Sequence, residues 1–163
     1  MQTFDQAELT SADVLFMALR DLGVTPSVDS FESRKRIQKL GYVLQKCGIL
    51  PSYGYTWYLH GPYASDLTSD LYTIATNIGY FQSRNQTRTF VPSAQERLAK
   101  LTRILGPAMD NTPVLEALAS LLYLGTKLEG TLRNLKPALS TESIGEAKRL
   151  LQELQREQVI ENQ

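Results

Sequence analysis

The chain has 163 residues, of which 42% are hydrophobic and 21% charged, so it fits one globular domain of ordinary size and composition. Its 17 basic and 17 acidic residues leave a formal net charge of zero, whereas a nucleic-acid-binding protein usually has a basic excess. Cys47 is the only cysteine, which excludes an intrachain disulfide and a cysteine-rich zinc site.

The N-terminal segment, MQTFDQAELT, has neither the basic nor the apolar region of a signal peptide. No apolar run approaches the ~20 residues that span a bilayer, so we expect a cytoplasmic protein without membrane contact. The first predicted helix covers residues 11–22, where apolar side chains recur at helical spacing. Gly23 follows, and glycine is typical of the position after a helix.

The second predicted helix is FESRKRIQKLGYVLQKC, with Asp29 as its cap, Glu32 completing a capping box, and Gly48 as its end. Its apolar face consists of Ile37, Leu40, Leu44 and Cys47, and its basic face of Lys35, Lys39 and Lys46. Arg34 and Arg36 extend this basic face, which is usually the solvated side of an amphipathic helix, although it could also contact phosphates or an acidic partner. Gly41 costs up to ~1 kcal/mol relative to alanine, which indicates a close neighbouring element.

Residues 53–60, YGYTWYLH, alternate as in a strand with one buried face. The side chains expected on the inward face are Tyr53, Tyr55, Trp57 and Leu59. Outward Tyr58 and Tyr63, which follows the strand, are the rings expected at the surface. The pair Gly61-Pro62 is expected to break the strand.

A third helix is predicted from about residue 64 to 78, with Ser65 as its candidate cap and Gly79 as its end. Residues 80–81 and 87–91 resemble two short strands around the polar turn SRNQ, which predicts a β-hairpin. Ser93 and Glu96 form a second capping-box pattern, which predicts a helix to about residue 105.

The segment Asn111-Thr112-Pro113 is expected to open the next helix, because proline suits the first helical turn. A weaker helical stretch is predicted over 127–135, followed by a break at Pro137. Ser140 or Thr141 is expected to cap the last helix. The fold expected is therefore one mainly α (α+β) domain over residues 1–158, with about six or seven helices and a small three-stranded antiparallel sheet. The polar residues 159–163 are expected to fray.

Three stretches carry a family resemblance: RKRIQKLGYVLQKCG (34–48), YGYTWYLHGPYASDL (53–67) and LKPALSTESIGEA (135–147). The chain resembles the YwgA-like proteins and, more distantly, the SocA-like or Panacea-domain family. The most specific part is GPYA followed by SDLTSDL, although relatives often have serine where this chain has Ala64. The resemblance implies a small, mostly helical regulatory or interaction domain. In the Panacea branch it implies an antitoxin-type protein that neutralises a partner toxin by direct binding.

His60 is the only histidine, and no nucleophile-elbow motif accompanies it. We therefore interpret His60 as a strand-end residue that hydrogen-bonds the loop. A metal-dependent enzyme using His60, Asp66 and Asp70 for Mg²⁺ or Mn²⁺ is an alternative, since the two aspartates share a helix face. No glycine-rich phosphate-binding motif is present, and no cofactor is predicted.

These patterns favour a non-enzymatic protein-binding module that acts by masking a partner protein, with no catalytic or metal-binding residue. The predicted contact surface consists of Arg34, Lys35, Tyr58, His60, Tyr63 and Asp66. The alternative is a nucleic-acid-associated regulator with a winged-helix-like part, using the basic face and Arg84 and Arg88. The acidic residues of the helix predicted over 64–78 weigh against that alternative, because phosphates would repel them.

Overall fold

The computed structural model describes residues 9–59, 61–125, 136 and 138–160. Within these ranges the chain forms seven α-helices, one short 3-10 helix and a two-stranded antiparallel sheet. In chain order the elements are α1 (Ser11–Leu22), α2 (Phe31–Lys46), β1 (Thr56–Tyr58), β2 (Gly61–Tyr63), α3 (Ser65–Thr76), α4 (Ile78–Arg84), α5 (Pro92–Leu105), the 3-10 helix (Gly106–Asp110), α6 (Thr112–Leu124) and α7 (Thr141–Arg156). The predicted mainly helical single domain is confirmed, but the sheet has two strands instead of three.

Helix α6 is the centre of the fold. It is buried on nearly every side, and α2 and α7 pack against it. Its apolar side chains Leu115, Leu118, Ala119 and Leu122 all belong to the hydrophobic core. The predicted apolar face of α2 is confirmed, since Ile37, Leu40 and Leu44 are buried, and α7 buries its own apolar face, which includes Leu154. No helix in the described ranges is both long and apolar enough to cross a membrane.

Several helix starts depend on side-chain caps that the sequence shows directly. Asn111 accepts a hydrogen bond from the Val114 amide at the start of α6, as predicted, and Ser140 caps α7 by accepting from the Ser143 amide. The N-cap of helix α1 is Thr10, which forms a capping box with Asp13. Its end at Leu22, with Gly23 in the left-handed conformation, is as predicted.

Two predicted capping boxes are wrong. At α2 the cap is Ser30, which accepts from the Ser33 amide, so the helix begins one residue later than an Asp29 cap requires. Helix α5 begins with Pro92 in its first turn and has no side-chain cap, so Ser93 lies inside the helix. In each helix the residue before or after the predicted cap meets the requirement instead. Ser30 accepts a first-turn amide of α2, and Pro92 has no N–H that needs a partner in α5.

The predicted hairpin over residues 80–91 is also wrong. The chain breaks at Asn77, not at Gly79, and then forms α4, which contains the segment predicted as the first strand. Phe81 is buried against Phe16 of α1, with ring centroids 6.1 Å apart. This contact, together with hydrogen bonds from the end of α4 to Asp13, favours a helix over an exposed two-stranded ribbon.

The packed chain continues past the predicted boundary at residue 158. The side chains of Val159 and Ile160 are buried, and the Val159 amide donates to the Leu154 carbonyl. The predicted helical stretch 127–135, the predicted break at Pro137 and residues 161–163 lie outside the described residues.

Candidate functional site

A pocket of about 190 Å³ lies between α2, the β1–β2 hairpin and α3. We call it the ring pocket and define it by the residues that line it: the aromatic Phe31, Tyr58, Tyr63 and Tyr72, the polar Arg34, Lys35, Gln38, Lys39 and Thr68, and Gly61. The structure therefore brings together four residues of the predicted contact surface, namely Arg34, Lys35, Tyr58 and Tyr63.

The β1–β2 hairpin supplies one side of the ring pocket. Strand β1 pairs with β2 so that Tyr58 lies opposite Gly61, and Leu59 lies in the turn that follows β1. Gly61 has a φ of +91°, a conformation that residues with a side chain rarely adopt. The prediction that Gly61-Pro62 breaks the strand is wrong, because these residues begin the second strand. Proline is tolerated there since β2 is an edge strand.

The hairpin places aromatic and apolar side chains at the surface. Tyr58 is 59% exposed, as predicted, and its ring centroid lies 5.7 Å from that of Tyr63. Leu59, predicted to face inward, is 77% exposed because the chain turns at this residue. We call Tyr58 and Leu59 the hairpin tip. Of the inward rings, Tyr55 packs edge-on against Tyr42 of α2, whereas Trp57 contacts Tyr123 of α6.

Gln38 links α2 to the start of α3. Its side-chain carbonyl accepts from the Ala64 amide at 3.0 Å, and its amide donates to the Ala64 carbonyl at 2.7 Å and the Thr68 hydroxyl at 2.6 Å. The predicted cap Ser65 is wrong, because the N-cap position is Ala64 and a side chain from another helix satisfies its backbone. Thr68 then donates to the Tyr63 hydroxyl, which orients that ring in the pocket.

Lys39 lies beneath the hairpin and is buried, which corrects its assignment to a solvated basic face. Its side chain is 1% exposed, and Nζ donates to the Pro62 carbonyl at 2.8 Å. Burial lowers the pKa of Lys39 to about 7; Glu116 opposes this shift, and Lys136 and Lys35 add to it. This lysine therefore fastens β2 to α2 at the cost of a desolvated amine.

Glu116 is the acidic partner of these lysines, although it is not among the residues predicted from the sequence. One carboxylate oxygen lies 2.7 Å from Lys35 Nζ, and the other lies 3.4 Å from Lys136 Nζ. Lys136 also donates to the Leu59 carbonyl at the hairpin turn, and burial lowers its pKa. A signal was present, because Glu116 is the only charged residue of the apolar helix TPVLEALASLLYL.

The hairpin lies so close to the side chains of Lys39, Glu116 and Ser120 that only glycine fits at position 61. A Cβ atom added to Gly61 would lie 2.8 Å from the Ser120 hydroxyl oxygen and 3.6 Å from Lys39 Nζ. Ser120 is fully buried, and its hydroxyl has no hydrogen-bond partner among the residues that the structure describes. Lys35 and Lys39 therefore line the pocket, and Glu116 and Lys136 lie next to them.

Basic side chains proposed to contact phosphates have intramolecular partners. Arg36 donates to the Asp110 carboxylate and the Met109 carbonyl. Arg84 forms two hydrogen bonds of 2.9 Å to the buried Asp13 carboxylate, and Arg88 donates to the Asn85 side chain. The contacts of Arg84 with Asp13 hold α1 to α4, so Arg84 and Arg88 have a structural role at this junction.

Asp66 and Asp70 lie outside the ring pocket and contact other parts of the fold. Asp66 accepts a hydrogen bond from the Gly54 amide, and Asp70 accepts from the Ser11 and Tyr53 hydroxyls at 2.7 and 2.6 Å. Within the described ranges, no three histidine, cysteine or acidic side chains are grouped for a metal ion. His60 lies outside the described residues, so the contact and metal hypotheses that name it stay predictions.

Comparison with known proteins gives no match: no family model, no curated protein and no solved structure is similar to this chain at a significant level. The resemblance to the YwgA-like and Panacea-domain proteins therefore stays a prediction. The function has to be argued from the site itself.

Proposed function

We propose that this protein is a non-enzymatic binding module that masks a surface of a partner protein, using the ring pocket and the hairpin tip as its contact surface. The observation that carries the proposal is the exposure of large rings around a pocket that also contains an arginine. Phe31 is 54% exposed and Tyr58 59% exposed, and Arg34 lies beside them on the pocket wall. Aromatic residues and arginine dominate the binding energy of protein interfaces.

The size of the pocket favours a protein partner over a free small molecule. Pockets that enclose a whole small-molecule ligand are roughly 300–1,000 Å³ in volume. The ring pocket, at about 190 Å³, has room for less than such a ligand. An anchoring side chain that projects from a larger surface matches this volume, and the rest of the affinity would come from contacts around the rim.

The hairpin tip supplies such a rim contact. Leu59 protrudes from a turn that Lys136 holds in place through the Leu59 carbonyl, so its exposed side chain is presented on a restrained backbone. An apolar residue on a restrained backbone loses less conformational freedom when a partner covers it than one on a free loop. Pocket and tip together favour a partner surface with one projecting anchor and one apolar recess.

The biological setting that the resemblance implies belongs to this proposal. Masking is the mode of action of an antitoxin-type protein, whose contact surface occludes a toxin without chemistry. The ring pocket contains the kind of surface that such masking requires.

Affinity capture with the full chain and two surface variants tests the proposal. We expect Tyr58→Ala and Arg34→Glu each to reduce capture of a specific protein at least about tenfold, because each removes an anchor from the contact surface. Tyr80→Ala is the matched control, since Tyr80 is also 59% exposed but does not line the ring pocket. The captured protein is then produced alone, and its binding to the three variants is measured by calorimetry. Equal binding by all three folded variants would contradict the proposal.

A further inference from the structure

We infer, on the basis of the proposed function, that the anchor entering the ring pocket is a carboxylate of the partner protein, bound between the aromatic wall and the side chains of Arg34 and Lys35. The carboxylate belongs to an acidic side chain within an extended segment of the partner, since its methylene stem can pack on the rings of the pocket. The free C-terminus presents the same planar, singly charged group and is a competing outcome of the experiment.

The charge around the pocket is unbalanced in a way that an anion would correct. Arg34, Lys35 and Lys39 line the ring pocket, and none of the described residues that line it is acidic. Glu116 adjoins the floor, but its two oxygens are already paired with Lys35 and Lys136. Among the described residues, Lys35 and Lys136 thus share the single Glu116 carboxylate, and Arg34 has no acidic partner. An anion that enters beside Arg34 is therefore attracted by a net positive charge.

Arg34 has the donors to bind that anion. A guanidinium carries five N–H donors in a planar fork, which matches the two oxygens of a carboxylate. Among the described residues, Arg34 donates only from Nη1 to the Val28 carbonyl, at 2.8 Å. The remaining donors of Arg34 can therefore form a paired contact with a carboxylate that enters the pocket.

The aromatic wall favours a carboxylate over a more highly charged phosphate. Phe31, Tyr58, Tyr63 and Tyr72 line the pocket beside the basic side chains, so a partner that covers them displaces water, and each additional negative charge then increases the desolvation cost. A carboxylate carries one charge, and the methylene stem of an acidic side chain can pack on the rings. The inference therefore names a protein carboxylate and treats phosphate binding as a competing outcome.

The test is a titration of the ¹⁵N-labelled full chain with capped synthetic peptides, followed by NMR. The peptides are Ac-Gly-Leu-Glu-Leu-Gly-NH₂, its neutral counterpart with Gln in place of Glu, and Ac-Gly-Leu-Leu-Gly with a free C-terminus. Inorganic phosphate is the fourth probe. We expect the Glu peptide to shift the amides of α2 and the hairpin, to bind at least about tenfold more tightly than the Gln peptide, and to bind more tightly than the free-terminus peptide. That ratio is typical of one hydrogen bond to a charged group.

Two variants assign the effect to the proposed contact. Arg34→Gln is expected to weaken binding of the carboxylate peptide about tenfold and to leave binding of the Gln peptide unchanged. Arg36→Gln is the matched control, because Arg36 lies on the same helix but pairs with Asp110 outside the pocket. Equal affinity for the Glu and Gln peptides, tighter binding of the free-terminus peptide, saturation by phosphate alone, or no binding of either carboxylate probe would overturn the inference. The capture experiment with Tyr58→Ala would still support or refute protein binding separately.

Discussion

Asp13 is a buried carboxylate that joins α1 to the end of α4. It is fully buried, and it accepts hydrogen bonds from Arg84, from Asn85 and from the backbone and hydroxyl of Thr10, all between 2.8 and 2.9 Å. Burial raises the pKa of Asp13, but the hydrogen bonds together outweigh burial and lower the pKa to about 2. The charged form is therefore the one that stabilises the fold.

Replacing Asp13 is expected to destabilise the protein strongly. Removing one partner of a buried ion pair costs about 3–5 kcal/mol, so Asp13→Asn should lower the free energy of unfolding by roughly that amount in urea titrations at neutral pH. Asp21→Asn is the control on the same helix: it removes the partner of Arg20, and because Asp21 is more exposed than Asp13 the loss should be about 0–1 kcal/mol. Because the folded pKa of Asp13 is depressed, its contribution is present above pH ~4 and is lost as the pH falls towards 2. Similar losses for the two variants would refute this role.

Lys39 makes the stability rise with pH in a second, higher pH range. Its folded pKa is lowered to about 7, so above that pH the unfolded chain binds a proton that the folded chain lacks. Stability should therefore rise with pH between about 7 and 10, by up to about 1.4 kcal/mol per pH unit for one proton. The free energy of unfolding of Lys39→Met should show a smaller rise over the same range. An unchanged slope in that variant would show that Lys39 stays protonated.

At the scale of elements, α2 is the helix on which the site is built. Gln38 caps α3, Lys39 fastens β2, and Arg34 and Lys35 line the ring pocket, all within about two turns of one helix. The predicted close neighbour of Gly41 is confirmed. A Cβ atom at that position would lie 2.8 Å from the Tyr55 hydroxyl and would overlap Leu67 of α3.

A pair of glycine substitutions tests this packing. Gly41→Ala should destabilise the protein by about 1–3 kcal/mol, because overpacking between α2, α3 and the hairpin outweighs the gain in helix propensity. Gly145→Ala, in α7, should instead stabilise it by about 0.5–1 kcal/mol, since no atom lies within 4 Å of the added Cβ. Thermal unfolding of the two variants measures both effects. A stabilised Gly41→Ala would mean that α2 and α3 lie farther apart than described.

At the scale of the whole molecule, one hydrophobic core connects the elements. The core cluster includes buried side chains from every α-helix, and Trp57 and Tyr55 pack against it from the hairpin region. Helix α6 lies at the centre, between α2 and α7. Contiguous burial of this kind favours unfolding in a single cooperative step.

The single tryptophan allows that cooperativity to be measured. Trp57 lies 5.7 Å from the Tyr123 ring of α6 and 5.3 Å from Lys136 Nζ, so its fluorescence reports the attachment of the hairpin. We expect the fluorescence transition in urea to coincide with loss of far-ultraviolet circular dichroism. A fluorescence change at lower urea concentration would show that the hairpin, and with it the ring pocket, opens before the helices.

The sequence by itself determined the helical class, the ends of α1, the start of α6 and α7, and the apolar faces that meet in the core. These features depend on caps and periodicity, which act over about four residues along the chain. It also indicated Arg34, Lys35, Tyr58 and Tyr63 of the ring pocket, because they cluster in two short stretches, but not Phe31 or Tyr72.

Only the tertiary structure decided that α4 is a helix, that Gly61-Pro62 begins a strand, and that Lys39 is buried. The deciding contacts join residues far apart in sequence: Arg84 to Asp13 across 71 positions, and Lys39 to Pro62 across 23. Whether a lysine on a helix face contacts water or a carbonyl depends on which element packs against that face, and helical periodicity does not identify that element.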